Sequence, residues 1–107
     1  MSVRLQNKKV LITQSEDYMG PAICELFESE GAAVRAIPGF VPGDQSVAEY
    51  AAGLDDIDIL IANLAFDPTS SGIADITDEG WQRLFDVMVH PLMSLVRHFG
   101  PKMIDRG

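Results

Sequence analysis

Thr13, Gln14, Ser15, Glu16, Asp17, Tyr18, Met19 and Gly20 stand between an apolar run, Lys9–Val10–Leu11–Ile12, and a helical pattern with Pro21 in its first turn. A strand, a tight turn and a helix N-terminus in that order form the setting in which main-chain N–H groups meet a phosphate or another anion. Glycine serves there because backbone must come close to the ligand and adopt conformations that side chains disfavour. Only Gly20 is a glycine here. Gln14 and Tyr18 occupy two places where glycine is expected, and Glu16 and Asp17 put negative charge near the helix start. Gln14 and Tyr18 are therefore expected to block a pyrophosphate, leaving a nucleotide-binding scaffold without its grip.

Other reactive side chains are sparse. His90 and His98 are the two histidines, eight positions apart on one helical pattern, and neither has a Ser or Asp at nucleophile-triad spacing. They are read as helix-face or interface residues. Cys24, the single cysteine, has no internal disulfide partner; it reads as a structural thiol in the first helix and fits a reducing, cytoplasmic setting. Asn63, at the end of an apolar run, reads equally as a pocket residue or as a polar group satisfying backbone at a strand end.

The chain has 107 residues, a single-domain length, and 47% apolar residues, an ordinary globular composition. Its net charge of −8 offers no basic stripe to nucleic acid or to an anionic membrane. No apolar run reaches bilayer length, and the N-terminus has no signal-peptide core.

The elements that must position the turn follow from pattern. Lys9–Thr13 is an apolar strand. Gly20–Glu30 is a helix with Ile23, Leu26 and Phe27 at helical spacing and Gly31 as its cap. Ala32–Ile37 is a second strand, stopped by Pro38, and a short helix capped by Asp44 or Ser46 runs to about Leu54. Ile57–Asn63 is apolar throughout, as a strand covered on both faces would be. A polar loop follows at 67–72, and then one long helix from about Asp78 to Ile104, started by Thr77 or Asp78 and kinked at Pro91. Trp81, Leu84, Phe85 and Met88 form a stripe on it for core or subunit contact. Alternating strands and helices predict an α/β fold, a Rossmann-like parallel sheet with helices on both faces. No later strand covers Ile57–Asn63, so the chain reads as the N-terminal half of a doubly wound domain, or as one that pairs with a second copy.

Val10-Leu11-Ile12-Thr13 with Gly20, then Glu25-Leu26-Phe27 and Glu30-Gly31-Ala32, then Ile57–Asn63, then the helix from Trp81, together resemble the short-chain dehydrogenase/reductase superfamily over residues 7–107. Ordinary members read Thr-Gly-x-x-x-Gly-x-Gly in the first turn. Thr13-x4-Tyr18-x-Gly20 is similar to the Thr-x4-Phe/Tyr-x-Gly signature of the halohydrin dehalogenase branch, as are Ala62-Asn63-x-Ala65 and Val89-His90-Pro91-Leu92.

That resemblance implies a cofactor-free enzyme converting vicinal haloalcohols to epoxides and halide. Its halide and substrate pocket would draw on Thr13, Gln14, Tyr18, Gly20, Asn63 and Ala65. It further implies homotetramers built on the long helix, and a catalytic Ser, Tyr and Arg that follow this helix, after Gly107. Three departures agree. Ala36-Ile37-Pro38 lacks a ribose-binding acid, the Gly31–Asp58 link is short, and Met88 stands where the superfamily's oxidoreductases carry an Asn. Two alternatives remain open: a divergent oxidoreductase using NAD or NADP, with Tyr-x3-Lys downstream, and an inactive self-associating module.

Overall fold

The computed structural model describes residues 3–39, 47, 49, 53–54, 56–66 and 74–107. Three strands form one parallel sheet: β1 (Lys9–Ile12), β2 (Ala33–Ala36) and β3 (Ile59–Ile61), in the order β2-β1-β3. Lys9 pairs with Ala33 and Ile12 with Ala36 on one side, and Val10 with Ile59 and Ile12 with Ile61 on the other. Parallel neighbours need a crossover, and helix α1 (Gly20–Ser29) supplies the one between β1 and β2. The Rossmann-like α/β arrangement expected from the alternation is present.

Helix α1 ends as its sequence directs. Gly31 takes φ +91°, the Gly31 N–H donates to the Glu28 carbonyl and the Ala32 N–H to the Phe27 carbonyl, which closes the last turn. Before α1, Arg4 donates from both its main chain and its guanidinium to the Glu30 carboxylate, tying the N-terminal segment to the helix end.

The third strand is shorter than the seven residues expected. Only Ile59–Ile61 is strand, and all three are half-buried. Asp58 is drawn off to accept hydrogen bonds from the Lys9 N–H and the Arg106 guanidinium, and Asn63 turns toward the loop after β1. The long helix is also divided. Helix α2 (Asp78–Met88) and helix α3 (His90–Arg106) meet at Val89, whose φ is −112°. Pro91 has no N–H to give to the turn before it, and the break falls two residues upstream of it. Thr77 caps α2 by accepting from the Gly80 N–H at 3.0 Å. The short helix expected before Leu54 and the loop at 67–72 lie mostly or wholly outside the described residues.

The core gathers Leu11, Ile37, Val47, Ile57, Leu95 and Phe99, with Leu60, Ala62 and Met103 packed on it. Leu11 thus meets α3 from one face of the sheet. Val10 and Ile12 leave from the other face and are buried as well, so the central strand is covered on both sides. Among the described residues no helix is long and apolar enough to cross a membrane.

Candidate functional site

The carboxyl ends of β1 and β3 lie side by side. In open α/β sheets the ligand lies outside these ends, where the strand order reverses, and β1 is flanked here by β2 on one side and β3 on the other. Thr13, Gln14 and Ser15 leave β1 into the turn, all three buried. The Thr13 N–H donates to the Ile61 carbonyl, the Thr13 hydroxyl to the Asn63 carbonyl at 3.1 Å, and the Ser15 N–H to the Ile37 carbonyl. The turn is therefore anchored to both neighbouring strand ends.

Asn63 is buried and donates its side-chain amide to two carbonyls of the turn, Gln14 and Asp17, each at 2.9 Å. Of the two roles open to it, satisfying backbone is the one its contacts show. Gln14 reaches from the turn to the segment that follows β3. Its Nε2 donates to the Ala65 carbonyl at 2.9 Å and its Oε1 accepts from the Ala65 N–H at 3.0 Å. Nε2 also lies 3.2 Å from Asp17 Oδ2. Thr13, Gln14, Asn63 and Ala65 are thus one network. Tyr18 stands apart from it, 77% exposed on the outer side of the turn.

The backbone of the turn explains how it does without two glycines. Gln14 has φ +43° and Tyr18 has φ +51°, the left-handed region that glycine takes freely and other residues rarely. Backbone that glycine takes freely is thus carried here by two residues with side chains. Gly20 remains a glycine for a steric reason. A Cβ there would lie 2.4 Å from the Ser15 carbonyl oxygen and 2.8 Å from that of Gln14, both main-chain atoms that have nowhere to go. The first turn of α1 contains no acid, while Glu16 and Asp17 stand just before it.

With this geometry in view, the chain's likeness to known proteins has a structural footing. A family model described as enoyl-(acyl carrier protein) reductase matches residues 7–107. The chain belongs to the short-chain dehydrogenase/reductase superfamily. It is 37% identical over 133 residues to the uncharacterized oxidoreductase YvrD of Bacillus subtilis, taking in 100% of this chain and 50% of that protein. Its fold matches L-sorbose reductase of Gluconobacter frateurii, solved with NADPH and L-sorbose, at a TM-score of 0.82 and 24% identity, over 100% of this chain and 51% of that one. A solved dehalogenation enzyme matches at a TM-score of 0.78 and 19% identity, over 96% of this chain and 51% of that one, a likeness that carries the fold alone. The chain spans about half the length of the curated relatives it matches.

These findings overturn the dehalogenase reading, with its haloalcohol, epoxide and halide chemistry, and the cofactor-free site that went with it. The family model is described as a reductase and the Bacillus relative as an oxidoreductase, whereas the likeness to the solved dehalogenation enzyme is one of fold. The physical error lay in treating Gln14 and Tyr18 as obstacles. The Gln14 amide is spent on Ala65 and Tyr18 faces solvent, while both residues keep the backbone turn that glycine would have made.

Asp17 escaped the sequence reading as a site residue. Its carbonyl accepts from Asn63 and from the Gly20 N–H, and its carboxylate from Gln14. Cys24 is only partly buried, and burial, with the Glu28 carboxylate second, pushes its thiol above the ordinary value. Among the described residues no group of His, Cys, Asp and Glu is arranged to hold a metal.

Proposed function

We propose that this chain is the nucleotide-binding half of an NAD(P)-dependent short-chain oxidoreductase, the N-terminal part of a single Rossmann-like domain working in the cytoplasm. The observation that carries the proposal is the left-handed backbone at Gln14 and Tyr18 with the tight seat of Gly20, which together keep the course of a phosphate-binding turn. The first turn of α1 would face the pyrophosphate, Gly20 would keep the turn close against the helix start, its own N–H being held by the Asp17 carbonyl, and Thr13, Asn63 and Ala65 would form the crevice floor. The cofactor supplies a hydride when bound. The chain's own part is to hold the turn rigid, present main-chain donors to phosphate, and keep water from the crevice floor.

The adenosine end is less specific. Ile37 is buried in the core and Pro38 and Gly39 follow it, so among the described residues just after β2 none is an acid or arginine that could read the ribose 2′ position. Asp44, the one carboxylate between Arg35 and Glu49, lies outside the described residues. We expect NADH and NADPH to bind the complete protein within about fivefold of each other, at micromolar affinity. Calorimetric titration with each is the test. Absence of binding by both would overturn the oxidoreductase reading.

The partners of this reading are a small carbonyl or alcohol substrate and further copies of the chain. Trp81, Phe85, Leu92, Met93 and Val96 are exposed on α2 and α3, an apolar face of the kind that marks subunit contact. We assign that face to the homo-oligomer, tetrameric by the family resemblance.

A further inference from the structure

We propose that Gln14 is a positioning residue that sets the width of the crevice by locking the Ala65 peptide. The inference rests on the nucleotide-binding reading and adds to it a residue whose type departs from the glycine of the superfamily's turn.

The paired contact is the first observation. One side-chain amide meets both the N–H and the C=O of a single residue 51 positions away, at 3.0 and 2.9 Å. A primary amide can do this in only one orientation, with its NH2 on the carbonyl and its oxygen on the N–H. An ionised glutamate, a serine or an apolar side chain could not reproduce it. The contact is also sheltered, because Gln14 is 5% exposed and water does not compete for it.

The second observation is the backbone. A non-glycine residue at φ +43° is held in a conformation that its side chain disfavours, and such strain persists where the surroundings over-determine it. Here they do. The Gln14 carbonyl accepts from Asn63 Nδ2 and from the Asp17 N–H, while its side chain grips Ala65. Because β1 and β3 are adjacent and the ligand crevice lies between their ends, this grip joins the two walls of the crevice. The walls are thereby spaced before a ligand arrives, and a ligand that fits loses less freedom on binding.

The test uses the complete protein and two variants. In Gln14→Glu the ionised carboxyl cannot donate to the Ala65 carbonyl and faces the Asp17 carboxylate; once protonated it regains the donor. Glu16 is the other acid of the turn and is exposed, residues 62–66 across the crevice carry no charge, and Arg83 lies over the Phe66 ring, 6.0 Å from its centre. Burial and the neighbouring Asp17 raise the introduced carboxyl, so its contribution is present at low pH and lost as pH rises through its value. We expect the ratio of the variant's NADH dissociation constant to the wild type's to grow from about 2 at about pH 5 to about 10 or more at about pH 8. A ratio that does not change with pH would show that Gln14 only fills space.

Gln14→Gly keeps the left-handed turn and removes the grip. Without nucleotide, hydrogen exchange at the Ala65 N–H should quicken by about tenfold or more in this variant. An unchanged rate would overturn the lock. If wild-type protein binds no NADH at any pH, the oxidoreductase reading fails, and the exchange rate at Ala65 still decides whether Gln14 locks that peptide.

Discussion

Gly20 is the residue at which the turn's sterics are least forgiving. Its missing Cβ would sit inside van der Waals contact of two main-chain carbonyl oxygens, and neither can rotate aside as a side chain would. Relief requires the turn and the start of α1 to separate. Overpacking of this kind costs about 1 to 3 kcal/mol. Gly20→Ala is expected to lose that much in denaturant unfolding and to weaken NADH binding by about tenfold or more. Unchanged stability and affinity would show that the contact yields. Asn63 works at the same scale by a different means. It adds a second donor to each of two turn carbonyls that already accept from the Asp17 and Gly20 N–H groups, and so ties the turn to the segment after β3.

At the scale of elements, the break at Val89 divides the face that the helices show to solvent. Helix α2 buries Val87 alone, and α3 buries Pro91, Ser94, Leu95 and Phe99 against the sheet. Trp81 and Phe85, one turn apart with ring centres 5.3 Å from each other and planes inclined by 55°, remain outside as a tilted pair. A charge placed there would cost little in a monomer and much in an interface. Phe85→Asp is therefore expected to lower the mass measured by light scattering at micromolar concentration while leaving the circular dichroism of the helices intact. A wild-type monomer mass, unchanged in the variant, would refute the assignment of this face. Helix ends are explained more fully by local chemistry. The cap at Thr77 and the close at Gly31 each use one residue type at one place.

Across the whole molecule, Asp58 joins distant pieces of chain at the end of the sheet opposite the crevice. It accepts from the Lys9 N–H at 2.8 Å, at the start of β1, and from Arg106 at 3.0 Å, at the end of α3. The Arg106 guanidinium also donates to the Ile57 carbonyl. The Lys9 N–H chiefly, and then the positive charge of Arg106, hold the Asp58 carboxyl below its ordinary value. A lowered carboxylate stabilises the fold fully above its unfolded value and loses that contribution as pH falls through the lowered one. The difference in unfolding midpoint between wild type and Asp58→Asn should be full at about pH 6 and fade by about pH 2. A difference that is constant over this range would remove Asp58 from the account. On the same scale, the isolated 107-residue chain is expected to reduce no carbonyl substrate with NADH or NADPH. It offers no Ser, Tyr and basic set of the kind the superfamily places after the long helix. Turnover above a buffer blank, from protein free of host enzymes, would contradict this.

The sequence by itself determined the order of strands and helices, the parallel sheet, and the place of the turn. Those properties rest on local patterns: apolar runs in Lys9–Ile12 and Ile59–Ile61, helical spacing in Gly20–Ser29, and capping residues such as Thr77 and Gly31. Tertiary structure alone decided what the unusual residues of the turn do. Read by type, Gln14 and Tyr18 were obstructions. In the fold, one is absorbed by Ala65 and the other faces water, and both keep glycine's backbone. Side-chain direction in irregular backbone depends on partners far along the chain, and no local periodicity records a pairing between positions 14 and 65. The division at Val89 and the shortening of β3 have the same origin. Pro91 marks a helix as breakable, and Asp58 and Asn63 mark a strand as endable, but where each one gives way depends on which distant groups take up its hydrogen bonds.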